Sequence, residues 1–521
     1  MVQIEEKTYK ELLQHKELIP YLELRIQLLE EKLRLAAKRQ FTPSSEKLSS
    51  EQMALLFNEL EANADPEALE PEVETITYTR RRGGQRTLDL GSLRTEEIHY
   101  TLPEEQKVCP QCEAQMHEMG EQIRQELKFI PAELVLVKHI CAKYACRHCQ
   151  IEADSTPILL APMPQPAFPG SMASPSLVAN ILYQKYVLSV PLYRQEQDLK
   201  RRGFDISRQN LSNWAMRGAD LLAPLYHHLH TLLLKRKILH ADETELQVLH
   251  EKGRSAQRKS YIWLYRSGRD GPQIVLYEYQ PTREAVHPQK FLSGFIGYLQ
   301  VDGYDAYDTL PNVDLVGCWA HARRKFTDAL AALPPADREK GGTEAHKGLI
   351  FCQNLFKIER DLHDVSAVER YAARLERSKP VLDKMYVWLQ SAKLELLPKS
   401  ATGGAVGYCL NQWSKLICFL KDGHLELDNN RSERAIKPFV IGRKNWLFSN
   451  TPTGASSSSI IYSLIETAKE NSLDPFRYLT YLFEQLPNIN VKDPAALENL
   501  LPWVDEIQSK FSAPKKPSRS K

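Results

Sequence analysis

Residues 238–249 read ILHADETELQVL, and the fold turns on how that stretch alternates. In an extended strand successive side chains point to opposite faces, so Ile238, Asp242, Leu246 and Val248 share one face while Glu243, Glu245 and Gln247 share the other. Glu243 and Glu245 then need nothing beyond solvent. Asp242 points with the apolar set, where a carboxylate is costly unless something compensates it. Two further strands are predicted at 259–267 (KSYIWLYRS) and 273–280 (QIVLYEYQ), set apart by a polar turn around 251–255 and by GRDGP at 268–272. A helix at 288–295 (PQKFLSGF) leads to GYLQVDGYDAY at 297–307, where the strand runs out at Asp302 and Gly303 permits a sharp exit. A last strand, VDLVGCWAH at 313–321, runs into the basic helix start ARRKF at 322–326. Three antiparallel strands, a helix, a strand, a helix and a strand is the order of an RNase H-like sheet. In that arrangement the first and fourth strands are neighbours, so Asp242 and Asp302 are expected to meet at their ends.

A third carboxylate comes from LELDNNRSERAIKPFVIGRKNWLFS, residues 425–449, which sets Asp428, two asparagines and Glu433 directly before Arg434, Lys437, Arg443 and Lys444. Two readings stand side by side. In one, Asn430 caps a helix and Glu433 at the third position reaches back to complete a capping box. In the other, Glu433 turns inward and joins Asp242 and Asp302, with Asp428 as a rival ligand. Three carboxylates suit phosphodiester transfer, which uses one divalent cation to ionise the attacking hydroxyl and a second to stabilise the leaving oxygen; hard Mg²⁺ prefers such oxygens. Asp242 would bridge both ions, and Asp302 and Glu433 would hold one each. Arg434, Lys437, Arg443 and Lys444 then serve as phosphate contacts, with Trp446 as a stacking surface. Residues 329–425 are charged and helical without a strand signal, which reads as an insertion within the catalytic domain.

The length of 521 residues and 42% hydrophobic content allow several packed domains. A net charge of only +2 removes global basicity as an argument for nucleic acid, so local clusters must carry it. No apolar run reaches about 18 residues and the N-terminus lacks the apolar core of a signal peptide, which predicts a cytoplasmic protein without a membrane partner. The expected organisation is a leucine-seam helical region (1–62), a linker or DNA-touching basic arm (63–100), a zinc ribbon (101–152), a Pro-rich connector (153–175), a helix-turn-helix-like domain (176–234), the catalytic domain (235–328 plus 426–450) around its insertion (329–425), a helical C-terminal segment (451–490) and a tail (491–521). After Pro20, the positions Leu22, Ile26, Leu29, Leu33 and Ala36 step by four and three along one helical seam, either for self-pairing or for packing on the same domain. A second helix is predicted from Ser49. Arg208, Gln209, Asn213 and Arg217 are exposed candidates on the third helix of the 176–234 region, after a Gly203-Phe204-Asp205 turn and a Ser207 cap.

Cys109 and Cys112 in CPQC are answered by Cys146 and Cys149 in CRHC, two knuckles able to close a tetrahedral shell around structural Zn²⁺. The alternating run at 127–144, LKFIPAELVLVKHICAKY, is expected to form the hairpin strands that bring the knuckles together. Cys318, Cys352, Cys409 and Cys418 have no mutual metal spacing and read as ordinary buried thiols.

LHADET, VDGYDAY, GCWAHARRKF and DNNRSERAIKPFVIGRKNWLF, in this order and with the cysteine ribbon, resemble the bacterial DDE transposases of the insertion-sequence family numbered sixty-six. The likeness extends through SSEKL and LLFNELE near the N-terminus and TPTGASSSSIIYSLIETAKENSLDP at 451–475. The resemblance implies a catalytic triad of Asp242, Asp302 and Glu433 holding Mg²⁺ or Mn²⁺, with His240, His321, Arg324, Asn430 and Arg434 in support. It also implies double-stranded DNA as partner, a homo-oligomer joining two element ends, and accessory proteins from the same element. Two alternatives stay open: an RNase H-like nuclease without strand transfer, and a non-catalytic zinc-ribbon regulator.

Overall fold

The computed structural model describes residues 6–41, 133–145 and 158–514. The four ribbon cysteines, the helix predicted from Ser49 and the arm at 63–100 lie outside the described residues. Helix α1 (Glu6–Phe41) begins before Pro20 rather than after it. A single missing N–H does not stop a helix of this length, although it removes one backbone bond. α1 meets the chain through its polar side: Arg34 Nε donates to the Ala332 carbonyl (2.6 Å) and Lys38 pairs with Asp328 (2.7 Å). The seam faces away, with Leu22, Ile26, Leu29 and Leu33 between 44% and 71% exposed.

The ribbon region forms its own compact unit. Its described ladder pairs β1 (Lys143–Ala145) antiparallel with β2 (Ile158–Leu160), on either side of the second cysteine knuckle. The predicted alternation at 127–144 is therefore corrected in part. Residues 133–142 carry no strand, and the partner of 143–145 lies beyond the knuckle. Within this unit the Cys141 thiol donates to the Ala161 carbonyl at 3.1 Å.

Three helices precede the large sheet: α2 (Pro175–Tyr186), α3 (Leu192–Arg201) and α4 (Arg208–Leu234). Ser174 and Ser207 cap α2 and α4 with side-chain bonds, and Gly203 takes the left-handed conformation (φ +88°) that the tight turn requires. α4 outruns a small recognition helix and continues into the main core, where Leu222, Leu225, Leu229 and Leu233 are buried and Tyr226 Oη donates to the Tyr277 carbonyl.

The sheet itself contains β3 (Ile238–Gln247), β4 (Lys259–Ser267), β5 (Val275–Gln280), β6 (Gly297–Val301) and β7 (Val313–Gly317), in the order β5-β4-β3-β6-β7. A short helix, α5 (Val286–Phe291), links β5 to β6. β3 pairs antiparallel with β4 and parallel with β6, and β6 pairs parallel with β7. The first and fourth strands are thus neighbours, as their sequence order predicts. Helix α6 (Trp319–Ala332) leaves β7 and enters the helical insertion, where α7 (Glu344–Asp361), α8 (Lys379–Glu395) and α9 (Ala401–Asn411) build a second core around Trp319, Phe326, Leu355, Met385 and Leu389. The chain returns as α10 (Asn430–Trp446), which packs on β3 and β4, followed by α11 (Pro452–Glu470) and α12 (Pro475–Gln485). α11 closes the outer edge of β5 chemically. Ser463 Oγ accepts from Tyr277 N (2.8 Å), while Thr467 Oγ1 accepts from Val275 N and donates to its carbonyl (3.0 Å each), so the free edge is not left unpaired. The expected tail also holds two short helices, Pro494–Glu498 and Asp505–Phe511, anchored by buried Leu497 and Ile507.

The return path from the insertion is fixed by Arg374, which is 1% exposed. Its five N–H groups are all used: two meet Glu359 (2.8 Å each) and three donate to the carbonyls of Phe419, Asp422 and Leu425 (2.8–3.0 Å). A lysine cannot reproduce that fork. Arg374→Lys is expected to lower stability by roughly 3 kcal/mol, the scale for breaking a buried charge network. A urea unfolding midpoint equal to that of the unsubstituted protein would contradict this.

Candidate active site

Strand register brings the acids together. The parallel ladder pairs His240 with Gln300, and continued two residues further it sets Asp242 beside Asp302. On the other side Val301 pairs with Gly317, so the next step sets Asp302 beside Cys318. Asp242, within β3, and Asp302 and Cys318, just past the ends of β6 and β7, therefore form a row across three neighbouring strands spaced about 4.8 Å apart, on one face. The Asp302 carboxylate accepts from Tyr304 N (2.9 Å), which closes the turn out of β6. Gly303 does not adopt a left-handed conformation here; a Cβ would meet the Tyr408 ring at 3.0 Å, so close approach explains the glycine.

Glu433 arrives in the first turn of α10, and the segment before it is pinned to the same strands. Gln300 Nε2 donates to the carbonyls of Glu426 (2.7 Å) and Asp428 (2.9 Å). Asn429 donates from Nδ2 to the Ala241 carbonyl (2.8 Å), which turns its Oδ1 toward His240 Nδ1 at 3.0 Å. With an acceptor facing it, Nδ1 carries the ring proton. Burial holds the His240 ring down to about 4, so it is neutral at physiological pH. Asn429 N donates to Cys318 Sγ (3.2 Å), and Trp319 N donates to the Leu427 carbonyl (3.1 Å), joining the start of α6 to the same segment.

The capping-box reading is not what the structure adopts. Asn429 precedes the helix without a side-chain cap, Asn430 is the first helical residue, and its side chain bonds Asp428 (2.7 Å). Glu433 instead turns inward: its Oε1 is buried without a hydrogen-bond partner and lies 4.0 Å from His321 Nε2, outside bonding distance. Asp428 is half-buried and committed to Asn430, with its carboxyl raised by burial.

The electrostatics are those of crowded acid. Burial raises the Asp242 carboxyl well above the ordinary carboxylate range, and the charges of Glu243, Asp302 and Glu433 push it further. The sequence assigned Glu243 to solvent, which is wrong. Its side chain is 3% exposed, bonded to the Arg283 guanidinium and to Tyr307 Oη (2.7 Å), and it too is raised by burial and by Asp302. Arg283 lies over the Tyr304 ring at 3.7 Å, next to the Asp302 turn. Burial and the neighbouring Arg324 charge lower His321, while Glu433 and Asp302 oppose them.

The remaining predicted residues separate by place. Arg324 and Arg434 are exposed near the acids, and Arg434 acts on Asp428. On α10, Arg434, Lys437 and Lys444 follow helical spacing along one side, and Arg443 stands off that stripe. Trp446 is not a free stacking surface: it packs against Tyr186 and Tyr462, with Lys185 Nζ over its ring at 5.4 Å. Arg208 is exposed at the start of α4, whereas Arg217 folds back to donate to the Pro169 carbonyl (2.9 Å) and covers Phe168. Sequence reasoning missed Asn429, Gln300, Glu243 with Arg283, and Cys318. The parity of His240 and Gln300, two residues before each aspartate, was the signal available for the first two.

Comparison with known proteins places most of the chain. Residues 170–457 match the model described as the transposase IS66 family, 106–150 the zinc-finger binding domain of that transposase, 463–503 its C-terminal element, and 28–98 the model described as transposase C of IS166 homeodomain. The zinc-finger match spans Cys109, Cys112, Cys146 and Cys149. Similar proteins from Sinorhizobium fredii (strain NBRC 101917 / NGR234) include uncharacterized protein y4jD, 32% identical over 77% of this chain and 78% of the relative, and uncharacterized protein y4qI, 28% identical over 90% and 87%.

Two pH effects follow. A carboxyl raised on folding destabilises the fold above its unfolded value near 4 and is neutral in effect below it. In buffer without added divalent cation, Asp242→Asn should melt a few degrees higher than the unsubstituted protein at pH 7.5, with the gap closing toward pH 4. Equal melting at pH 7.5 would contradict the crowding. For His240 the sign is opposite: its depressed value stabilises the neutral fold, and stability is lost as pH falls from about 6.5 to about 4, by roughly 3 kcal/mol. A His240→Asn protein should lack that acid-side slope in denaturation profiles.

Proposed function

The chain belongs to the IS66 family of transposases, and from that premise we propose that it cuts DNA at the ends of an insertion sequence and joins the freed ends to target DNA by a DDE mechanism. The single observation that carries this reading is the convergence on Asp242, within β3, of Asp302 at the end of β6 and Glu433 at the start of α10, with a buried, unpartnered Glu433 Oε1. The sheet order β5-β4-β3-β6-β7, with a parallel β3–β6 contact, supports an RNase H-like catalytic domain.

A divalent cation fits these residues. The Asp242 carboxyl is raised by burial and by its acidic neighbours with no cation beside it, and an all-oxygen donor set suits a hard ion such as Mg²⁺ or Mn²⁺. Asp242, Asp302 and Glu433 would hold it, where it would supply activation of a hydroxyl and charge stabilisation at phosphorus. The chain's own groups do the rest. His240 and Asn429 lock α10 against β3, so Glu433 keeps its position relative to Asp242. His321, neutral near pH 7, offers a ring N–H to a phosphate oxygen beside Glu433. Arg434, Lys437 and Lys444 offer a stripe of positive charge to the DNA backbone, with Arg443 and Arg208 as further contacts. Arg324 and Asn430 border the acids in supporting roles. Cys109, Cys112, Cys146 and Cys149, spanned by the zinc-finger match, would hold structural Zn²⁺. The exposed seam of α1 suits a second copy of the chain, as joining two ends requires. Accessory proteins from the same element would act with this assembly. Among the described residues no helix is long and apolar enough to cross a membrane. A chain acting on the bacterial chromosome is expected in the cytoplasm.

The test is strand transfer with element-end DNA and a target plasmid in Mg²⁺. Glu433→Gln should lose roughly 10²–10³ in rate or more, the scale for removing one preorganised charge-stabilising group, while end binding in gel shifts is kept. Cleavage without joined product would favour a nuclease, and full activity in Glu433→Gln would remove the residue from the reaction.

A further inference from the structure

We infer that Cys318, His321 and Glu433 form a second metal site, suited to a soft or borderline divalent ion of the Zn²⁺ class and overlapping the carboxylate site at Glu433. Among the described residues, these three bring a sulfur, a ring nitrogen and a carboxylate oxygen to within 4.8 Å of one another. Cys318 and His321 lie three residues apart at the start of α6, so one turn aims both at the same point. Two further observations point to an absent ligand. His321 Nδ1 and Glu433 Oε1 are both buried and have no hydrogen-bond partner. Cys318 Sγ accepts from Asn429 N at 3.2 Å, the kind of backbone bond that stabilises a metal-bound thiolate.

The donor set is wrong for Mg²⁺, because a thiolate is soft and imidazole borderline, and right for tetrahedral Zn²⁺ with water in the fourth position. Binding releases the Cys318 thiol proton to solvent and leaves a thiolate on the ion. Such an ion ties up the Glu433 oxygens. It thereby withdraws Glu433 from Asp242 and Asp302 and blocks the reaction that a hard cation supports. This inhibitory consequence depends on the function proposed above; the binding itself does not.

The two are tested separately on the full chain with zinc already in its cysteine ribbon. Co²⁺ is the probe, since thiolate-to-Co²⁺ charge transfer reports a bound sulfur and Co²⁺ binds such sites less tightly than Zn²⁺. Added Co²⁺ should give a tetrahedral thiolate spectrum that saturates near one equivalent. That spectrum should vanish in Cys318→Ala and need about tenfold more metal in His321→Gln, which keeps the thiol and the apolar packing around it. No thiolate band in the unsubstituted protein, or an unchanged band in Cys318→Ala, would overturn the site. In Mg²⁺-driven cleavage, the Zn²⁺ concentration for half inhibition should rise about tenfold in Cys318→Ala relative to that protein's own uninhibited rate. An unchanged value, with the Co²⁺ spectrum present, would overturn the inhibitory coupling alone.

Discussion

Residues 422–429 carry the chain from the helical insertion back to the sheet without a helix or strand of their own, and the site depends on how buried side chains hold them. Arg374 takes the carbonyls of Phe419, Asp422 and Leu425; Gln300 takes those of Glu426 and Asp428; His240 takes the Asn429 side chain. Backbone that lacks a ladder must find other partners when it is buried. Here the partners come from the insertion, from β6 and from β3 in sequence, so the segment is positioned residue by residue. Glu433 follows four residues after Asn429 and inherits that precision. The insertion is thus part of the site's architecture, because Arg374 within it sets where the third acid lands.

The acids meet at a cost that the fold does not remove internally. Arg283 and Tyr307 compensate Glu243, which leaves Asp242 among like charges with its nearest donor a backbone N–H. Structural ion-pair networks are usually balanced, whereas charge left uncompensated where several elements converge is typical of a site that binds something. Glu433 shows the same pattern in hydrogen-bond terms, with a buried oxygen and nothing donating to it.

Much of this was legible in the sequence. Strand alternation and order were sufficient for the sheet, because period-two patterning survives in 238–249 and Asp302-Gly303 marks the exit from the fourth strand. That order also sets Asp242 beside Asp302, whereas strand patterning says nothing of Glu433, which stands on a helix. Glu243 was not legible: alternation says that it points away from Asp242, but not that a helical turn carrying Tyr307 and the loop carrying Arg283 would cover that face. The capping box failed because Asn429, not Asn430, occupies the cap position, and its side chain is drawn off by His240 across 189 residues of chain. Cys318 read as an ordinary thiol because its partners are equally remote. The cysteine ribbon had the clearest local spacing, and its knuckles lie outside the described residues.

The central claim is that Asp242, Asp302 and Glu433 act as one cation site. Mn²⁺ binding to the full chain in the presence of end DNA, followed by electron paramagnetic resonance, tests it most directly. Asp242→Asn, Asp302→Asn and Glu433→Gln should each weaken binding by about tenfold or more, the effect expected when one ligand of a shared shell is lost. If any one of the three binds Mn²⁺ as the unsubstituted chain does, that residue is not a ligand and the shared site does not exist as described.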